Sequence, residues 1–212
     1  MCRLAVLVSG SGSNLQTIID RLHGRVAGIE VVMVVSNIPG VLALERAERA
    51  DIPTVVFPLT DYPDREARDV AIADAIDAAR ADLVVLAGYM QVVTPGFLRR
   101  FPYRVINLHP ALLPSFPGTD GIGDALRYGV KVTGVTVHFV DEGTDTGPVI
   151  RQEALRVHDD DTPSTLGLRL HALEHQVLPR VIELWAKGKI TPPAPGSRLV
   201  RVDDSLPSEI AP

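Results

Sequence analysis

The chain has 212 residues, 46% hydrophobic and 22% charged, which is typical of a globular protein with one domain or two small ones. Its 21 basic and 26 acidic residues give a net charge of −5, which disfavours a general nucleic-acid or membrane binder, because such proteins need a basic excess. The one cysteine, Cys2, excludes an intrachain disulfide and a cysteine-based zinc site, and it fits a reducing, cytoplasmic location. No run approaches the ~18 apolar residues of a membrane span, and the first apolar run is too short for a signal peptide.

The first half of the chain alternates between two kinds of segment. Short apolar runs rich in β-branched residues occur at positions 4–8, 31–35, 54–57, 83–87 and 104–108. Such runs are typical of strands buried on both faces of a parallel sheet. Apolar residues at helical spacing predict helices between them, from Asn14 to Leu22 and over 64–80. The alternation predicts an α/β fold with a doubly wound, mostly parallel sheet of the Rossmann-like type.

The pattern changes after Pro110. Residues 131–140 alternate in polarity and residues 148–157 form a second extended run, so we expect an antiparallel strand pair joined by a polar loop over 141–147.

A long last helix should follow, with Thr162 as its N-cap and Pro163 at its first position. Pro179 is expected to kink this helix. We expect one domain over residues 1–187 and a loosely held, Pro/Gly-rich tail over 188–212 with one short strand near 198–202.

Residues 9–14 read Ser-Gly-Ser-Gly-Ser-Asn and join the first predicted strand to the first predicted helix. Backbone N–H groups at a helix N-terminus bind phosphate when no bulky side chains intervene. A Walker loop would need a lysine, and a dinucleotide loop would need a third glycine where this chain has Leu15. Two interpretations stay open, a site for a small phosphate monoester and a merely tight strand–helix turn.

Asn107 and His109 stand two apart at the end of the fifth predicted strand and therefore point to the same side. Ligands bind at the carboxyl ends of strands in open α/β sheets, and an amide donor beside an imidazole can stabilise an oxyanion. A polar pair that merely closes the strand is an equally good interpretation. The loop over 141–147 adds three carboxylates, one of which could orient His109, although a solvated turn is the better prediction for each of them.

Two pairs of charged residues on the predicted helices are ambiguous. Arg65 and Arg68 lie in the first turns of a helix, where the dipole disfavours cations, so either an anion site or chance placement on the surface explains them. His171 and Glu174 lie three apart on one face of the last helix, and the bland interpretation is an exposed pair.

Three stretches occur in an order that resembles the phosphoribosylglycinamide formyltransferases, folate-dependent enzymes of purine synthesis. They are residues 8–16, residues 107–114, and residues 137–140 together with 145–148. The Asn-x-His-Pro stretch is shared with the wider formyltransferase group. The Ser-Gly-x-Gly-Ser-Asn loop restricts the resemblance to the formyltransferases that act on glycinamide ribonucleotide. The resemblance covers about residues 3 to 187.

The resemblance implies roles for named residues. Asn107, His109 and Asp145 fall on the catalytic positions. The positions that bind glycinamide ribonucleotide fall on Gly12, Ser13, Asn14 and Glu174. The positions that bind the folate in the family correspond to Arg65, Met90, Gln91, Val92, Val93, Asn107, Val140 and Asp141. The chain departs from the family pattern at residues 119–124, at Gln91 and at His171, which leaves the contacts of those positions open.

The implied reaction is direct transfer of the formyl group of 10-formyltetrahydrofolate to the amine of glycinamide ribonucleotide, with no metal and no covalent intermediate. Asn107 and a protonated His109 would stabilise the oxyanion, Asp145 would keep His109 protonated and help to move the proton, and His138 is read as structural. A formyltetrahydrofolate hydrolase and a non-catalytic folate- or phosphate-binding module are the alternatives, and a methionyl-tRNA formyltransferase fits less well because it would need a basic surface. We expect no nucleic-acid or membrane partner, and the sequence leaves the oligomeric state open, a homodimer included.

Overall fold

The computed structural model describes residues 1–26 and 28–205. Seven described strands form one mostly parallel sheet, namely β1 (Cys2–Val8), β2 (Ile29–Ser36), β3 (Thr54–Val56), β4 (Leu83–Leu86), β5 (Val105–His109), β6 (Val132–Phe139) and β7 (Val149–Arg156). Their order in the sheet is β3-β2-β1-β4-β5-β6-β7. A separate two-stranded hairpin consists of β8 (Ile190–Thr191) and β9 (Arg201–Val202).

Six helices lie in the described residues, together with one 3-10 turn at Leu59–Asp61. They are α1 (Ser13–Arg21), α2 (Leu42–Glu48), α3 (Arg65–Ala78), α4 (Pro95–Arg100), α5 (Gly121–Tyr128) and α6 (Pro163–Ala186). The predicted α/β class is confirmed, with its five strands, antiparallel pair and long last helix. The prediction that all five strands are buried is wrong for β3, because this strand lies at the edge of the sheet and Val55 is exposed. Three helices, α2, α4 and α5, were not predicted. None of the described helices has the length and apolar character that crossing a membrane would require.

Met1–Ile106 form the first of two compact units. In this unit β1 pairs in parallel with β2 and β4, and β2 pairs with β3. Residues 4–8 of β1 are all 0% exposed, which explains why the run is apolar without alternation. Helix α3 begins after Asp64, whose carboxylate accepts a hydrogen bond from the Ala67 N–H at 2.8 Å.

The second unit begins at Asn107. Here β6 and β7 pair antiparallel, with an irregularity between Val137 and His138. One face of β6 buries Val135, Val137 and Phe139 as its alternation predicts, and Phe139 packs edge-on against Trp185 of α6. The other face is also buried, because Thr136 and His138 are 0% and 2% exposed. Polar side chains inside β6 therefore need partners in the protein.

Helix α6 begins with a capping box. The Thr162 hydroxyl accepts from the Thr165 N–H, and the Thr165 hydroxyl accepts from the Thr162 N–H. Pro163 is the first helical residue, as predicted, and the helix continues through Pro179 to Ala186. The kink expected at Pro179 stays a prediction.

The predicted strand near the end of the chain is confirmed as β9. We expected a loosely held tail, but ion pairs tie its described part to the second unit. Asp204 pairs with Arg151 of β7 and with Arg180 of α6, and within the tail Asp203 pairs with Lys189 at 2.8 Å. Arg198 also donates to the Thr146 carbonyl. Residues 206–212 of the predicted tail lie outside the described residues.

Candidate active site

The structure brings Asn107, His109 and Asp145 together within the second unit. Strand β5 ends with Asn107 and His109, and the loop between β6 and β7 carries Asp145. The Asn107 amide Nδ2 donates to Asp145 Oδ1 at 3.2 Å, and His109 Nδ1 lies 3.4 Å from Asp145 Oδ2. One carboxylate thus contacts both of the polar side chains that close β5.

The Asp145 carboxylate is held on several sides. Its Oδ2 also accepts from the Gly118 N–H at 2.8 Å, and its Oδ1 lies 3.6 Å from His138 Nε2. Burial acts to raise the pKa of this carboxyl, but the hydrogen bonds from His138 and Gly118 and the neighbouring charges of His109 and His138 hold the pKa below its ordinary value. Asp145 is therefore a carboxylate at neutral pH.

The His109 ring is buried, with 3% exposure, and both of its nitrogens face acceptors. Nε2 lies 2.7 Å from the Phe116 carbonyl oxygen, and Nδ1 faces Asp145. A carbonyl and a carboxylate can only accept hydrogen bonds. A ring that carries a proton on each nitrogen therefore matches its surroundings best, and this is the charged form that stabilises an oxyanion.

His138 contacts the same group more closely than the sequence suggested. Its Nδ1 donates to the Phe139 carbonyl at 2.8 Å, and its Nε2 lies 3.3 Å from Asn107 Nδ2. The Asn107 amide thus donates to Asp145 and lies beside the His138 ring, whose Nε2 also faces Asp145. His138 therefore helps to orient the Asn107 amide as well as filling the core. The signal for this in the sequence was its place on the polar face of β6.

The loop over residues 9–14 lies in the first unit and leads into α1. Gly12 has φ of 71°, and a Cβ at this position would lie 2.7 Å from the Ala43 side chain, so only glycine fits. Arg46 of α2 donates to the Ser11 carbonyl at 2.8 Å and to Gln16 at 2.9 Å. This cation lies on α2, a helix that the sequence pattern does not predict. Ser13 is the first residue of α1, and Asn14 is the second.

The folate-side residues of the first unit lie on α3 and after β4. Arg65 is exposed at the first position of α3. Met90 and Val92 are 64% and 51% exposed, whereas Val93 is 5% exposed. The Gln91 amide donates to the Met90 carbonyl at 3.0 Å. The segment therefore presents apolar side chains to solvent, which suits a flat aromatic ligand.

Arg68 is not a surface residue. Its side chain is 1% exposed and pairs at 2.8 Å with Asp69, which is fully buried. Asp69 Oδ2 in turn accepts from the Thr94 N–H at 2.7 Å, and an Arg68 guanidinium N–H points to Gln91 at 3.4 Å. This buried pair supports the segment that follows β4.

The remaining predicted residues lie in the second unit. Glu174 is 4% exposed, so it is not part of an exposed pair, and it bonds His171 Nδ1 at 2.9 Å. That hydrogen bond outweighs the effect of partial burial and raises the pKa of His171. Val140 is half-buried after β6, and Asp141 accepts from the Thr146 hydroxyl at 2.6 Å, inside the loop that carries Asp145.

Comparisons with known proteins give a consistent result. The sequence model of a family described as Formyl transferase matches residues 2–182. The chain is 46% identical over 189 residues to the phosphoribosylglycinamide formyltransferase of Mycobacterium tuberculosis, which covers 89% of this chain and 87% of that one. It is 41% identical to the Bacillus subtilis protein of the same name, over 86% of this chain and 94% of that one.

A longer relative and a solved structure extend the comparison. The trifunctional purine biosynthetic protein adenosine-3 of Drosophila melanogaster is 45% identical over 88% of this chain, and the chain spans only 14% of that protein's length. The crystal structure of glycinamide ribonucleotide transformylase 1 from Symbiobacterium toebii superposes with a TM-score of 0.91 at 44% identity, over 96% of this chain and 95% of that one.

Proposed function

The chain belongs to the formyl transferase family, and on this premise we propose that it transfers the formyl group of 10-formyltetrahydrofolate to the amine of glycinamide ribonucleotide in purine biosynthesis. The products are formylglycinamide ribonucleotide and tetrahydrofolate. The observation that carries this proposal is the contact of one carboxylate, Asp145, with both the Asn107 amide and the His109 ring at the carboxyl end of β5. The names of the full-length relatives of similar size point to the same reaction.

In the proposed reaction the amine nitrogen attacks the formyl carbon and forms a new C–N bond. The formyl oxygen becomes an oxyanion in a tetrahedral intermediate. The bond from carbon to N10 then breaks, and the proton that the amine loses passes to N10. Donors aimed at the oxyanion lower the barrier of such a step. Asn107 and a doubly protonated His109 are these donors, and with two of them the chemistry needs no metal.

Asn107 and His109 each give up a hydrogen bond within the protein when they donate to the oxyanion. The Nε2–H of His109 points to the Phe116 carbonyl, and the Asn107 amide donates to Asp145. Each group can turn a hydrogen to the oxyanion when the substrate displaces one of these acceptors. Asp145 begins as a carboxylate and balances the charge on His109. It takes up the proton that the amine loses, directly or through a water, and is ionised again when that proton passes to N10.

The two substrates would bind surfaces of different polarity, the ribonucleotide a polar one that favours anions and the folate an apolar one. The phosphate of glycinamide ribonucleotide binds the backbone of Gly12, Ser13 and Asn14, where the start of α1 and the nearby Arg46 favour an anion. Glu174 binds the ribonucleotide from α6. The folate rings pack on the exposed apolar segment around Met90 and Val92, with the other folate-side contacts from Arg65, Gln91, Val93, Asn107, Val140 and Asp141.

We assign the catalytic domain to residues 1–187 and the tail to residues 188–212, in a cytoplasmic enzyme that acts on small molecules and not on nucleic acid.

The test is an absorbance assay for the folate product on the purified protein, with and without glycinamide ribonucleotide. Release of tetrahydrofolate only in the presence of the ribonucleotide is the expected result. Release in its absence would make the protein a formyltetrahydrofolate hydrolase. Binding of both ligands with no release under either condition would leave a non-catalytic binding module.

A further inference from the structure

Ser9 begins the glycine-rich loop over residues 9–14, and the proposed function gives its side chain no role. It follows β1 directly and is 8% exposed. A hydroxyl group can donate one hydrogen bond and accept two. A buried hydroxyl at the carboxyl edge of a parallel sheet is therefore able to connect several strand ends.

The hydrogen bonds of Ser9 reach the segments that follow two other strands. Its hydroxyl donates to Asn37 Oδ1 at 2.6 Å, just beyond β2, and accepts from the Met90 N–H at 2.8 Å, beyond β4. Its own N–H donates to the Gly88 carbonyl at 3.1 Å. Two bonds thus join Ser9 to the segment over 88–90, and a third joins it to the end of β2.

These bonds connect the two binding regions of the first unit. Ser9 begins the loop that, under the proposed function, holds the phosphate of glycinamide ribonucleotide. Met90 begins the segment that holds the folate. The Ser9 side chain makes one of the two bonds of this connection, because the Met90 N–H is bonded to the Ser9 hydroxyl, and the Ser9 backbone makes the other with the Gly88 carbonyl. A shift of either region would therefore displace the other through the hydrogen bonds of Ser9.

We infer that Ser9 is a positioning residue that fixes the phosphate loop and the folate-side segment to each other, so that the binding of both substrates depends on its hydroxyl. This inference rests on the proposed function. Ser9 touches neither substrate in this account and acts through the loop and through Met90. Its removal should therefore weaken two ligands that bind in different places, which the loss of a direct contact would not do.

The experiment is Ser9→Ala, with the dissociation constants of glycinamide ribonucleotide and of tetrahydrofolate measured separately by calorimetry. We expect both dissociation constants to rise about threefold to tenfold, which corresponds to the net free energy of one hydrogen bond. Asn37→Ala removes only the acceptor of the Ser9 proton and keeps the bond to Met90. It should raise both constants by less, and it serves in place of Ser9→Ala if that variant does not fold.

Ser36→Ala is the matched control. Ser36 is also a buried serine at the end of a strand of the same unit, and its hydroxyl also makes two hydrogen bonds, but both go to Ile38 in its own turn. This variant should leave both dissociation constants unchanged. A rise for one ligand only in Ser9→Ala, or equal effects of Ser9→Ala and Ser36→Ala, would overturn the inference. Failure of the unaltered protein to bind the two ligands would instead count against the proposed function.

Discussion

The Nε2 atom of His109 lies 2.7 Å from the Phe116 carbonyl oxygen, on the side of the ring opposite the nitrogen that faces Asp145. Both flanking residues have left-handed backbones, with φ of 55° at Phe116 and 53° at Asp145. Such a conformation costs a residue with a side chain roughly 1–2 kcal/mol. Two strained loops therefore fix one imidazole from both sides, which sets its orientation before any substrate arrives.

Replacement of Asn107 tests the oxyanion role. Asn107→Ala removes one donor and should lower kcat about 10²- to 10³-fold, the usual cost of such a loss. The dissociation constant of glycinamide ribonucleotide should stay close to that of the unaltered chain, and the loss of one folate contact should raise that of tetrahydrofolate by far less than kcat falls. Turnover is measured by the absorbance assay and binding by calorimetry. Unchanged turnover would show that Asn107 only closes β5.

The stability of the folded chain should depend on pH through Asp145. Because the pKa of Asp145 is lowered in the folded state, its contribution is fully present above the ordinary value of 3.8 and is lost as the pH falls through the lowered pKa. Asp145→Asn removes this contribution. The difference in the free energy of unfolding between the two chains should be constant at neutral pH and shrink in acid below about pH 4, as measured by urea titration. A difference that grows with acidity would contradict the assigned environment.

The buried pair of Arg68 and Asp69 predicts a large effect on stability. Asp69→Asn leaves the Arg68 charge buried without its partner and should cost about 3–5 kcal/mol in the free energy of unfolding. Glu45→Gln is the control, because its ion pair with Arg49 is exposed, and it should cost at most about 1 kcal/mol. Similar small values for both variants in urea titration would argue that water reaches Arg68.

The phosphate loop contains a matched pair of glycines. Gly12→Ala places a Cβ 2.7 Å from the Ala43 side chain at a positive φ, so it should destabilise the chain by more than the roughly 1–2 kcal/mol of a left-handed residue alone. A Cβ at Gly10 meets nothing within 4 Å, and φ there is not positive. Gly10→Ala should therefore change the melting temperature little. Equal shifts in the two variants would mean that the loop moves to accept the new side chain.

The buried strands could be predicted because burial on both faces leaves an unbroken apolar run. Two of the missed helices, α2 and α4, have only seven and six residues, which is two turns or less, so their periodicity cannot be read. Helix α5 has glycine at its first and third positions, which lowers helix propensity, and its start depends on the Asp120 side chain that caps the Gly123 N–H.

The candidate site could be predicted only in part. The period of two in a strand is enough to place Asn107 and His109 side by side. By residue type alone, Asp141, Glu142 and Asp145 were equivalent acids, and only the resemblance singled out Asp145. What distinguishes it physically is a hydrogen bond from Gly118, 27 positions away, together with a left-handed backbone. Contacts of that kind are set by the tertiary fold and leave no local pattern.

The bond from Arg198 to the Thr146 carbonyl joins residues 52 positions apart, beside the acid of the candidate site. Ribosomes add residues from the N-terminus onward, so the loop over 141–147 is complete long before Arg198 exists. A nascent chain that has reached α6 already holds all of the proposed catalytic residues, yet it lacks this support for the loop. The last contact to Thr146 is therefore made only when synthesis has passed residue 198.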